Sequence, residues 1–150
     1  MEVVYFGRVE FDTTKWFVVK FSYMQDPPRP TDAELEILTV LWSRGPSTVR
    51  EVHEAVAERK GAQYTTTLKL MQIMADKGLL NRNLKQRAHI YEPARSREWT
   101  QRQIAGDLLR RAFGGSARSF MLGALSARKT SRKELAELRQ LLDDYEKGAK

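Results

Sequence analysis

Tyr64-Thr65-Thr66-Thr67-Leu68-Lys69-Leu70-Met71-Gln72-Ile73-Met74-Ala75-Asp76-Lys77-Gly78 is the stretch on which the fold turns. A helix advances about 100° per residue, so in a helix beginning at Thr65 and running through Asp76, Thr67, Leu70, Met71 and Met74 share one face. Those side chains are the expected core contacts. Thr65, Lys69 and Gln72 lie opposite them, flanked by Thr66 and Ile73, and Lys77-Gly78 stops the helix. The outward face thus carries hydroxyls at the helix N-terminus, then a cation and an amide. In a DNA groove each has a use. Hydroxyls and first-turn amides hold phosphates, Gln pairs with adenine, Lys with guanine or phosphate, and a threonine methyl or Ile73 meets a thymine methyl. The same residues also suit a solvated face with Thr65 as N-cap.

Upstream, Thr31-Asp32-Ala33-Glu34 is a capping box, after which Leu35, Leu38, Leu41 and Trp42 recur at helical spacing until Gly45-Pro46. Thr48-Val49-Arg50-Glu51 is a second capping box, followed by the stripe Val49, Val52 and Val56 and a stop near Lys60-Gly61. Downstream, the period changes to that of strands. Leu79-Leu80-Asn81-Arg82-Asn83, a polar turn around Lys85-Gln86-Arg87, and His89-Ile90-Tyr91-Glu92-Pro93 read as a β-hairpin with a basic tip. Three helices followed by such a hairpin are the order of a winged helix-turn-helix, whose third helix enters the major groove while the wing lies by the backbone. A module that uses these helices to bind protein without DNA is the rival reading.

From Ser96 the pattern is helical again, with Trp99, Ile104, Leu108, Leu109 and Phe113 before a break at Gly114-Gly115-Ser116. Phe120, Met121, Leu122 and Leu125 follow, and Ser131-Arg132-Lys133-Glu134 caps a last helix with Leu135, Leu138, Leu141, Leu142 and Tyr145. Three amphipathic helices with no further sheet make a poor core of their own. Packing against a second copy of the chain answers that need, with Leu108, Leu109, Phe113, Phe120, Leu122, Leu135, Leu138 and Leu142 as the dimerisation residues; a helical cap folded on its own wing is the alternative. The fold class is therefore mainly α with a small β-hairpin: a winged helix over residues 31–94 and a helical dimerisation region over residues 95–150.

Residues 1–23 read as two short strands around Val3-Val4-Tyr5-Phe6 and Phe17-Val18-Val19-Lys20-Phe21. Gln25-Asp26-Pro27-Pro28-Arg29-Pro30 is a stiff linker. Because Met24 stands just before it, residues 1–23 are expected to be either an extension upstream of the natural start or a weakly attached strand pair, and residues 1–30 together form an N-terminal extension and Pro-rich linker.

Charge agrees with a polyanionic partner. The 150 residues hold 26 Lys and Arg against 19 Asp and Glu, a net charge of +7 with pI about 9.8. Residues 31–58 set two arginines against six acidic groups, a net charge of −4, whereas residues 81–118 set nine basic groups against three, a net charge of +6. Positive charge gathers on the wing and beyond it, where phosphates would lie. The candidate DNA contacts are Tyr64, Thr65, Thr66, Lys69, Gln72, Arg82, Lys85 and Arg87.

Other classes find little support. With no cysteine there is no disulfide, thiolate metal site or thiol nucleophile, which fits a cytoplasmic protein. The apolar run Trp16-Phe17-Val18-Val19 is far short of the roughly 20 residues of a membrane span. His53 and His89 are isolated in sequence and read as structural or surface residues, no hydrolase or phosphate-loop pattern occurs, and neither metal nor cofactor is expected.

In order and spacing, Glu34-Leu35-Glu36-Ile37-Leu38 with Leu41-Trp42, Thr48-Val49-Arg50-Glu51-Val52, Tyr64-Thr65-Thr66-Thr67 with Lys77-Gly78-Leu79, and Arg87-Ala88-His89-Ile90-Tyr91 form a run of motifs. Together with Phe113-Gly114-Gly115-Ser116 and Glu134-Leu135-Ala136-Glu137-Leu138-Arg139, they resemble the penicillinase-repressor family of BlaI and MecI type over residues 31–147. The resemblance implies a homodimer on a dyad operator with TACA/TGTA-like half-sites, repressing genes of β-lactam resistance or related stress responses. It also implies that Thr65, Thr66 and Lys69 face the operator and that a membrane metallopeptidase sensor pathway is a partner. Two features depart from it. Where staphylococcal members are cleaved at an Asn-Phe bond this chain reads Met121-Leu122-Gly123, and the C-terminal cysteine pairs of the copper-responsive branch are absent. If Met24 is the natural start, N-terminal peptide mass spectrometry of the native protein will find no peptide from residues 1–23; finding one refutes that start.

Overall fold

The computed structural model describes residues 4–6, 9–11, 27–84 and 87–148, with only the backbone for residues 4–6, 9–11, 59 and 60. It divides into two compact units, Met1–Arg102 and Gln103–Lys150. In the first, β1 (Val4–Phe6) and β2 (Val9–Phe11) pair antiparallel, with Val4 opposite Phe11. Val9–Phe11 is a strand not singled out from the sequence, and the expected strand at Phe17–Phe21 lies outside the described residues.

Helix α1 (Asp32–Arg44) begins at the expected capping box: the Glu34 amide donates to Thr31 Oγ1 at 3.4 Å, and the Thr31 amide to Glu34 Oε2 at 2.8 Å. Helix α2 (Val49–Lys60) repeats the device, the Thr48 amide donating to Glu51 Oε2 at 2.7 Å. Those bonds from Thr48 hold the Glu51 carboxyl below the usual range. Helix α3 (Tyr64–Asp76) starts one residue before Thr65. Its N-cap is Gln63, which caps through its backbone carbonyl alone, accepting from the amides of Thr66 and Thr67 at 3.1 and 3.2 Å. Thr65 is therefore a first-turn residue, not the cap. At the other end the Leu79 amide reaches the Met74 carbonyl at 2.9 Å and the Gly78 amide the Ala75 carbonyl at 3.1 Å, with Gly78 at φ 79°. This Schellman closure requires a positive φ, which glycine adopts without steric cost.

The expected wing is present as β4 (Leu80–Asn83) and β5 (Ile90–Pro93), paired antiparallel with Arg82 opposite Tyr91. A third strand that sequence reasoning did not find, β3 (Ser47–Thr48), pairs with the other side of β5, so the sheet order is β3-β5-β4. Two residues between a Gly-Pro stop and a helix cap are too few to show alternation.

Ile37, Leu38, Val40 and Leu41 of α1, Val49 and Val52 of α2, Met71 and Met74 of α3, and Leu79, Leu80 and Tyr91 of the wing form one core. Full burial of such a side chain contributes about 1.5–3 kcal/mol. Central strand β5 therefore delivers its one large buried ring, Tyr91, against helices whose stripes were legible at helical spacing. Trp42 ties α1 to the chain beyond the wing: its indole N–H donates to the Arg95 carbonyl at 3.3 Å, and the Arg97 guanidinium lies 5.9 Å from the Trp42 ring centroid. Helix α4 (Arg97–Ala112) starts here.

In the second unit, α4 ends at Gly114-Gly115, both at positive φ, and α5 (Ala117–Ser126) is capped by Ser116, whose Oγ accepts from the Ser119 amide at 3.1 Å. Phe113 and Phe120 meet edge-to-face, centroids 5.2 Å apart. A Cβ on Gly123 would lie 3.1 Å from the Phe113 ring, so glycine lets α5 approach that ring. Helix α6 (Arg132–Gly148) is capped by Ser131.

One buried charge joins the ends of two helices. Glu34, 1% exposed, accepts from Lys77 Nζ at 2.6 Å as well as from Thr31. Burial pushes its carboxyl up, but the Lys77 ammonium and the Thr31 donors outweigh burial and leave the pKa below the ordinary 4.5. A depressed folded-state pKa adds stability above the ordinary value that is lost as pH falls through the folded one. Glu34→Gln should cost about 1–3 kcal/mol at pH 7, one charge-assisted bond and its partner's desolvation. Thermal melts should also fall less steeply below about pH 4.5 than in the wild type; equal acid profiles would refute the pair's role.

Candidate nucleic-acid interface

The inner side of α3 is held at three points. At its N-terminal end His53 of α2 reaches it: Nδ1 lies 3.2 Å from Thr67 Oγ1, and the imidazole meets the Tyr64 ring edge-on with centroids 5.5 Å apart. In the middle, Thr67, Met71 and Met74 are buried. At its C-terminal end Lys77 is paired with Glu34. His53 is thus a structural residue, and its link to α3 was invisible in sequence because it spans the α2–α3 connection.

This anchoring leaves the opposite side of α3 outward. Thr65, Thr66, Lys69 and Gln72 are exposed, as are Tyr64 and, at 37%, Ile73. An open groove of about 360 Å³ runs along this side, lined by Thr65, Thr66, Lys69, Leu70 and Ile73. Leu70, expected in the core, is half-buried: it sits where the inner and outer faces meet. Five sequence-predicted residues of α3, Tyr64, Thr65, Thr66, Lys69 and Gln72, therefore lie exposed on one element. On the wing, Arg82 and Arg87 are exposed, and Lys85 lies outside the described residues.

The face combines first-turn amides and hydroxyls with a cation and an amide, which suits contact with phosphates and base edges. Among the described residues, no group of three His, Cys, Asp or Glu side chains could hold a metal. Nor is any helix among them long and apolar enough to cross a membrane.

The predicted dimerisation residues sit on α4, α5, α6 and the turn between α4 and α5. Leu108, Leu109, Phe113, Phe120, Leu135 and Leu138 are half-buried, while Leu122 and Leu142 are 58% and 59% exposed. No side chain of α5 or α6 is buried.

The chain matches the penicillinase repressor family over residues 30–144. The transcriptional regulator BlaI of Mycobacterium tuberculosis is 34% identical over 118 residues, covering 78% of this chain and 85% of that protein. The penicillinase repressor of Bacillus licheniformis is 25% identical over 127 residues, 85% of this chain and 99% of its own. A solved structure of the monomeric form of B. licheniformis BlaI in complex with the blaP half-operator aligns with a TM-score of 0.44 and 25% identity, over 50% of this chain and 92% of that one. With most of its length matched, this winged-helix chain belongs to the penicillinase repressor family, whose members are transcriptional repressors and not enzymes.

Proposed function

We propose that the chain represses transcription as a homodimer bound to a dyad operator, of the kind that governs β-lactam resistance or related stress genes. The observation that carries the reading is the α3 face: Thr65, Lys69 and Gln72 project outward from a helix fixed on its other side by Met71, Met74, His53 and Glu34. In the major groove, Thr65 and Thr66 would meet phosphates near the helix N-terminus, and Lys69 and Gln72 would reach base edges. Tyr64 flanks the first turn, and Arg82, Lys85 and Arg87 of the wing lie on phosphates, with sequence-independent affinity. The reading implies a cytoplasmic protein.

The domain boundaries follow the same reading, residues 31–94 binding the operator and residues 95–150 pairing two subunits. Unburied leucines on α5 and α6 support pairing, because exposed apolar side chains gain from burial against an identical face. Two α3 helices would then be set in successive major grooves, one per half-site.

Gel shifts with the promoter DNA flanking its own gene should give affinity that falls steeply with salt. Lys69→Ala should weaken binding by about 1–3 kcal/mol if Lys69 reads a base. Unchanged affinity in the Thr65→Ala, Lys69→Ala double variant would remove α3 from the interface, and absent or salt-insensitive binding would favour a protein-interaction module. In sedimentation equilibrium, Leu138→Asp with Leu142→Asp should raise the dimer dissociation constant by at least about a hundredfold. Losing one leucine contact per subunit already removes about 1.5–3 kcal/mol on each side; an unchanged constant would put the dimer elsewhere.

A further inference from the structure

Ile73 is an exposed aliphatic side chain on the outward face of α3. Met74 beside it is fully buried, yet Ile73 is 37% exposed, and isoleucine is not among the better helix formers. Its surroundings are specific. Two helical rows converge on it, Thr65-Lys69-Ile73 at spacing four and Thr66-Leu70-Ile73 at spacings four and three. These same five residues line the open groove along α3. Leu70, half-buried, lines the groove beside Ile73, as does Thr66. A largely polar helix face therefore contains an apolar spot.

A major groove offers few matches for such a spot. Base edges there present donors, acceptors and one apolar group, the C5-methyl of thymine. Charge favours a nucleic-acid occupant, since Lys69 lies on the same row as Ile73 and the cations Arg82 and Arg87 stand exposed on the wing. A protein partner with a larger apolar anchor would meet a shallow groove with a cation at its rim, which penalises a desolvated hydrophobic contact.

We infer that Ile73, with Leu70 beside it, is a specificity-determining residue that selects a thymine methyl in each operator half-site. This rests on the repressor reading above. Ile73 reads one base by van der Waals contact, and Lys69 and Gln72 act on neighbouring donors and acceptors. Specificity at that position then depends on a methyl group, with no hydrogen bond to the same base.

Deoxyuridine, which differs from thymidine only by that methyl, isolates the contact. The full-length protein is titrated in gel shifts against its own promoter fragment, footprinted to locate the protected segment, with each thymine of that segment replaced singly by deoxyuridine. One symmetry-related position per half-site should lose about fourfold in affinity, the weight of one buried methyl. That loss should vanish in Ile73→Ala, which should bind the thymine and deoxyuridine probes equally. Circular dichroism checks that this exposed-site variant stays folded, and Ile73→Val should keep part of the discrimination. Wild-type binding indifferent to every deoxyuridine, or a penalty that persists in Ile73→Ala, overturns the inference and leaves the repressor reading standing. Failure of the wild type to bind any promoter DNA overturns both.

Discussion

The Glu34 carboxylate accepts from Lys77 Nζ at 2.6 Å and from the Thr31 amide at 2.8 Å, and so fastens the start of α1 to the end of α3. A helix that reads a groove must not roll about its own axis, since a turn of one residue moves every outward side chain by about 100°. Methionines alone would hold such a helix loosely, because their flexible side chains tolerate rearrangement. The directional bonds supply what they lack: Lys77 at one end, His53 on Thr67 and Tyr64 at the other. Between these ends the outward row is fixed by subtraction, as whatever the core does not claim.

The charge distribution follows the same logic. Three acidic residues of α1 and α2 serve caps or a local pair: Glu34 and Glu51 close the capping boxes, and Glu54 pairs with Arg50 at 3.2 Å. None of them lines the groove along α3. Arg82 and Arg87 stand instead on the wing. A chain of net charge +7 thus need not be basic everywhere to attract a polyanion; it has to keep its acids off the approaching surface.

Local chemistry was legible in the sequence, and long-range pairing was not. Both capping boxes, the glycine stops at Gly61 and Gly78, and the α3 wheel depend on residues within a few positions of one another, and the structure reproduces them. The start of α3 shifted by one residue because Gln63 caps through its carbonyl, which any residue can do and no side-chain pattern reveals. β3 escaped notice because two residues carry no period. Glu34–Lys77, 43 residues apart, and Trp42 to Arg95, 53 apart, are tertiary facts: each partner had a sufficient local explanation as a cap or stripe residue. Leu70 shows the limit of a wheel, which assigns angles but not where a core ends.

The two units differ in how self-sufficient they are, and this bears on how repression is controlled. The winged helix has a closed core around Tyr91, Leu41, Met71 and Val52, whereas α5, ten residues long, and α6 bury no side chain. A helix as short as α5 is marginal in water without packing. In the proposed dimer, ordering of the second unit is therefore linked to association, and operator affinity inherits the dependence because two tethered reading helices bind far more tightly than one. Anything that separates the subunits weakens the operator complex without touching the α3 face. A signal that acted only on the leucine faces of α5 and α6 would then release the operator from a distance.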